Sequence, residues 1–308
     1  MGGGLTTPEA IRDFVSYAYH EWQPPAPLYL LLVGDANIDY RDYLGTGKVS
    51  QIPMFIVNTS NLMLTPSDAP FSTVDGNDKL PDLWVGRLPA ATPQAAGTVI
   101  NKIVGYELRT NPKPTQALFA ADNNEPSFEM LSESFITLLP EGITPRRVYL
   151  SQGGTTADIQ SGISAGALVT TYLGHGSVTN WAGEYLWRSD SVRDDIATLS
   201  NNNRLTFVMA LNCLNGYFAN PMMYSLNESF VVKDGRGAVA SFGSSGLGYP
   251  IDHEFLGNAV FSELFTRGER ILGAATTQAR INAYAKGASE EILTSFELIG
   301  DPATQLAW

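Results

Sequence analysis

Apolar and polar positions along the chain alternate between two periods. Thr7-Pro8 reads as a helix cap followed by a first-turn proline, and Ile11, Phe14, Val15 and Ala18 then recur with the spacing of one helical face. The prolines at 24, 25 and 27 end that helix. "LYLLLVGD" (28–35) is apolar throughout, the pattern of a strand covered on both faces. Residues 36–80 are rich in Asn, Asp, Gly, Pro and Ser, a long irregular stretch of the kind that carries function or joins subdomains. "DLWVGRLP" (82–89) is a strand, and Thr92-Pro93 opens a helix with Ala96, Val99, Ile100 and Ile103 on one face. Strands follow at 116–122, 146–150, 167–176, 205–213 and 237–245, and "FELIGDP" (296–302) closes the chain. Helices are predicted at 127–139, 254–266 and 269–286. Strands joined by helices imply an α/β fold with mostly parallel sheets and helices on both faces. Ligands of such sheets sit beyond the carboxyl ends of the strands.

Composition narrows the function. Hydrophobic residues make up 44% and charged residues 16%, so the chain is globular and long enough for one large or two small domains. No apolar run approaches the ~20 residues of a membrane span. Met1 to Gly4 show neither a basic nor an apolar signal region and resemble a cut within a longer chain. The net charge of −12 repels phosphate backbones, which argues against nucleic acid as a partner. Asp75-Gly76-Asn77-Asp78 offers oxygen ligands for a structural calcium but lacks the EF-hand spacing; a tight turn also explains it. The single cysteine excludes an intramolecular disulfide and any multi-cysteine zinc site.

That cysteine, Cys213, ends one predicted strand in "MALNCLNGYF", and His175, one of three histidines, ends another in "YLGHGSVTNW". Each is individually compatible with a core or turn residue. Together, at the carboxyl ends of strands, they suit a thiol and the imidazole that takes and returns its proton. Gly174 and Gly176 let the backbone approach a substrate, and the N–H groups of Gly176 and Cys213 could form an oxyanion hole.

"YLGHGSVTNW", "LNCLNGYF" and "GAVASFGSSG", together with "LLLVGD", "DLWVGRLPAATPQAAGTVINKIVGYE" and "ELIGDPATQL" in the same order, resemble the gingipain-like cysteine peptidases, family C25, over about residues 5–308. The resemblance implies a caspase-like fold of two adjacent subdomains, here a partial first one (1–72) and a catalytic second one (73–308). It implies a cysteine endopeptidase acting on protein or peptide substrates, with His175 as the catalytic histidine, Cys213 as the nucleophile and Gly176 and Cys213 as oxyanion donors. No cofactor is required. Asp82 holds the position of an acidic residue that orients the histidine in some members. Ala95 stands where the arginine-specific members carry the acid of the S1 pocket, so arginine specificity does not carry over. Trp181, Tyr249 and Asp252 are candidates for substrate binding, with core packing as the alternative for the aromatics and a surface position for Asp252 and Glu254. Family members are secreted or attached to the bacterial surface, within longer precursors. The alternatives are a catalytically silent caspase-like scaffold, or a flavodoxin-like module built around Asp35 and Asp39.

Overall fold

A computed structural model describes residues 6–62, 64–108 and 113–308; the reading of Met1 to Gly4 lies outside them. In chain order the first elements are helix α1 (Pro8–Glu21), strands β1 (Tyr29–Val33), β2 (Phe55–Val57), β3 (Thr65–Ser67) and β4 (Trp84–Leu88), and helix α2 (Pro93–Glu107). Thr7 and Thr92 cap the two helices by accepting from Ala10 N and Ala95 N, and a proline follows each cap. Next come β5 (Gln116–Ala121), α3 (Pro126–Ile136), β6 (Thr144–Tyr149), α4 (Thr156–Ser164), β7 (Val169–Leu173), and the short pair β8 (Asn180–Trp181) and β9 (Trp187–Arg188). The chain ends with β10 (Thr206–Leu211), α5 (Leu226–Val232), β11 (Ala238–Ser244), α6 (Pro250–Phe261), α7 (Leu272–Ala285), α8 (Ile292–Ser295) and β12 (Phe296–Ile299). Capping boxes start α4 (Thr155 with Asp158) and α5 (Ser225 with Glu228).

Eight strands form one sheet in the order β1-β4-β12-β11-β10-β7-β5-β6. The expected α/β class and mostly parallel pairing are borne out; the one antiparallel junction is β11 with β12. This junction reverses β1, β4 and β12 relative to β11, β10, β7, β5 and β6. One rim of the sheet therefore carries the carboxyl ends of β10 and β7 together with the amino end of β4. β1 pairs in register with β4, so residues on both sides of position 72 contribute to the same sheet.

The sheet alternates as a two-sided core demands. Phe207, Met209 and Leu211 of β10 pack into the cluster that holds Phe135 and Phe261, while Val208 faces Tyr172, Trp181 and Phe230. β1 departs from the sequence reading. It is an edge strand, and Tyr29, Leu31 and Val33 are 42%, 37% and 44% exposed. An unbroken apolar run shows that both faces can be covered, not that both are.

The irregular stretch after β1 is held by a buried cation. Arg87 of β4 is fully buried and donates to both carboxylate oxygens of Asp68 at 2.6 Å, to Gly34 O at 2.9 Å and to Ile52 O at 3.0 Å. Its guanidinium lies over Phe218, 5.0 Å from the ring centre. Burial opposes the charge, but Asp68, with Glu297 and Asp35 nearby, outweighs it and keeps Arg87 charged. Asp39 closes a local turn by accepting from Tyr43 N and Leu44 N. Asp75 and Asp78 likewise accept from Gly76 N and Leu80 N. Among the described residues no group of three or more His, Cys, Asp or Glu is placed to hold a metal ion, and no helix is long and apolar enough to cross a membrane.

Candidate active site

β7 and β10 are neighbours, with Leu173 opposite Leu211. His175 and Cys213 each lie two residues beyond this registered pair, on strands separated by ~4.8 Å. Past the strand ends His175 meets Phe128 of α3 and the Cys213 thiol faces Gly248 O just ahead of α6, so both lie toward the side that α3 and α6 cover. The loops that carry His175 and Cys213 leave neighbouring strands at one rim.

Polar links lock the His loop in place. Asp122, at the end of β5, donates its N–H to Leu173 O and accepts from His175 N at 3.1 Å. The Tyr172 hydroxyl donates to His175 O at 2.6 Å; burial and the nearby Asp122 carboxylate raise its pKa, so it stays a donor. Gly174 adopts φ +153°, and a Cβ there would strike Asp122 and the Tyr172 hydroxyl. A Cβ on Gly176 would land on the Asn212 amide. The two glycines around His175 are thus required by close packing of the loop.

The His and Cys loops are joined beneath the site. Asn215 Nδ2 donates to Ser177 O at 2.5 Å and to Asn180 O at 3.3 Å, while its Oδ1 accepts from Asn212 Nδ2 and from Trp181 Nε1. Asn212 and Asn215 are fully buried. The N–H groups of Gly176 and Cys213 donate to no described residue. Cys213 is half-buried, and its thiol faces Gly248 O at 4.0 Å.

The imidazole of His175 is 60% exposed, meets the ring of Phe128 edge-on at 5.6 Å, and has Glu125 Oε1 at 3.8 Å from Nε2. Glu125 precedes α3, which follows β5, a neighbour of β7. The sequence reading missed it. The available signal was an acid just past a strand of the same sheet, the place where loop residues converge on one rim.

Several expected site residues lie elsewhere. Asp82 precedes β4 on the same rim, but β12, β11 and β10 intervene, so it stands roughly 19 Å from β7 by strand spacing. Its carboxylate accepts from Val74 N and Asp75 N at 2.8 and 2.9 Å and shapes a turn. Ala95 opens α2 after the carboxyl end of β4, on the opposite rim. Trp181 is fully buried, stacked on Tyr172 at 4.7 Å, and belongs to the core. Asp252 is buried in the first turn of α6 and accepts from Ser289 N and Oγ at 2.8 and 2.5 Å. Tyr249, at the cap of α6, is exposed beside the site.

A pocket of about 130 Å³ opens at this rim between α3 and α6, with Leu173 and Leu211 on its floor and Glu254 at its edge.

Known proteins share features of this fold and sequence. The family model of peptidase family C25 matches residues 1–307. Gingipain R2 of Porphyromonas gingivalis is 26% identical over 96% of this chain and 40% of its own length. Lys-gingipain of the same organism is 24% identical over 79% of this chain and 13% of its own. The crystal structure of the Arg-specific cysteine proteinase gingipain R superposes with a TM-score of 0.81 at 25% identity, covering 97% of this chain and 68% of that one. The chain thus spans about two-fifths of the length of gingipain R2. With its fold, its strand-end cysteine and histidine and a match along almost its whole length, the chain belongs to peptidase family C25.

Proposed function

We propose that the chain is a cysteine endopeptidase in which Cys213 is the nucleophile and His175 the proton carrier. The observation that supports this reading is the register of β7 with β10, whose carboxyl ends lead into the His175 and Cys213 loops at one rim. In this mechanism His175 takes the thiol proton and the Cys213 sulfur attacks the scissile carbonyl carbon. The carbonyl oxygen becomes an oxyanion facing the N–H groups of Gly176 and Cys213, neither of which has a described acceptor. Each such donor is worth about 3–4 kcal/mol of barrier. The tetrahedral intermediate collapses, the C–N bond breaks, and His175 returns the proton to the leaving amine. Water, with His175 again as base, then releases the acyl group from sulfur. Glu125, with Oε1 3.8 Å from Nε2, rather than Asp82, is the carboxylate that orients His175.

Membership of C25 and the likeness to gingipains support a protein or peptide substrate, a place within a longer precursor, and a location outside the cell or on its surface. Cleavage of a fluorogenic peptide library by the chain and by Cys213→Ala tests the reading. Hydrolysis by the parent and none by the variant is expected; equal hydrolysis by both overturns it.

A further inference from the structure

The pocket beside Cys213 and His175 has a construction that bears on substrate choice. Its floor is Phe128, Leu131, Leu173, Leu211 and the buried ring of His253; Ser127, Ile251 and Glu254 form an exposed rim. Leu173 and Leu211 are the residues two positions before His175 and Cys213. The thiol faces Gly248 O, at the start of the segment Tyr249-Pro250-Ile251 that runs into the pocket wall. A carbonyl presented to Cys213 thus has the pocket at its flank. We infer that this pocket takes the side chain on the acyl side of the scissile bond and selects an uncharged apolar one, of leucine, methionine or phenylalanine size, over arginine and lysine. The inference rests on the cysteine-peptidase reading and names the substrate class of that site.

Three observations carry it. At about 130 Å³ the space matches a bulky apolar side chain, since an apolar cavity of roughly 150 Å³ holds a benzene molecule. The floor has no carboxylate. Asp252, adjacent in sequence to the wall, is turned into the protein by its two bonds to Ser289, and the acid that does line the pocket, Glu254, sits exposed at its mouth. Finally, burial holds His253 down at about 4, so its ring is a neutral wall at working pH. A guanidinium or ammonium drawn into this floor would lose water and meet no carboxylate there. The names of the relatives, Arg-specific gingipain R and Lys-gingipain, point to basic side chains; the floor seen here lacks the charge to hold one.

The test is kcat/KM on one peptide framework with Leu, Met, Phe, Ala, Lys or Arg before the scissile bond, for the parent, Cys213→Ala and Ile251→Trp. The parent should prefer Leu, Met or Phe over Lys and Arg by roughly 100-fold or more. Ile251→Trp, a rim substitution at an exposed position, should fill the pocket and shift the Leu-to-Ala ratio of kcat/KM toward Ala. Cleavage after Lys or Arg that depends on Cys213 would leave the peptidase reading standing and overturn the pocket assignment. So would selectivity read on the leaving-group side alone, or an Ile251→Trp profile identical to the parent's. No cleavage of any peptide by the parent would overturn both.

Discussion

At the residue scale the site turns on which carboxylate serves His175. Asp82 and Glu125 both approach the same rim, but Glu125 follows the strand next to β7, whereas three strands separate Asp82 from it. We expect Glu125→Gln to lower kcat by about 10- to 100-fold, because the imidazole loses the carboxylate that sets its orientation. Asp82→Asn should leave kcat within about two-fold and reduce thermal stability through the Val74–Asp75 turn, an exposed hydrogen-bond change of about 1 kcal/mol. Steady-state kinetics across pH on both variants decides it; a larger kcat loss from Asp82→Asn would reverse the assignment. Sequence showed His175 and Cys213 because each ends a strong apolar run. It could not show the acid, because the order of strands in the sheet is a tertiary fact. Trp181 and Asp252 misled for a related reason. An aromatic near a catalytic loop and an acid at a helix start look alike whether they face a substrate or, as here, Asn215 and Ser289.

At the scale of elements, the loop after β7 and the loop after β10 behave as one unit through Asn215, which bonds the Ser177 and Asn180 carbonyls and Trp181. Asn215→Ala removes the partner of the Ser177 carbonyl and of the Trp181 indole N–H, at about 1–3 kcal/mol for each. It should lower the urea midpoint and kcat together, while Asn215→Asp should restore the bonds accepted from Trp181 and Asn212 but not those donated to the Ser177 and Asn180 carbonyls. A variant as stable and active as the parent would show that the loops are held by other means. Helix α5 ends on a different device: Lys102 of α2, nearly fully buried, donates to Phe230 O and Val231 O at 3.2 and 2.6 Å. Burial pulls its pKa from 10.5 to about 7. Between those values the unfolded chain binds the proton and the folded chain does not, so stability should rise with pH. Burial also raises the pKa of Glu297, to about 8, and that of Glu228, and both act oppositely, so the lysine is read as a difference between proteins. From pH 8 to 10 the melting temperature of the parent should gain relative to that of Lys102→Met; equal slopes would exclude the lysine as a source. Helix positions themselves were legible from caps and periodicity, as at Thr7-Pro8 and Thr92-Pro93.

At the scale of the molecule, the sheet explains both the site and the errors of reading it. Apolar strands and intervening helices announced an α/β sheet, yet the antiparallel entry of β12 decides which strand ends share a rim. That reversal brings the approach to β4 to the Cys213 side and sends Ala95 to the other. It is set by β12 pairing beside β11 rather than by any local pattern. β1 shows the same limit, since its run of apolar residues does not reveal that it is an edge. The central claim is that Cys213 and His175 act as one nucleophilic pair at this rim. The most direct measurement is labelling with a peptidyl acyloxymethyl ketone carrying leucine next to the warhead, followed by intact mass and peptide mapping. The account predicts one adduct per chain, on Cys213, formed many-fold more slowly in His175→Ala and blocked by excess peptide substrate. An adduct that forms equally fast without His175, or none on Cys213, would contradict it.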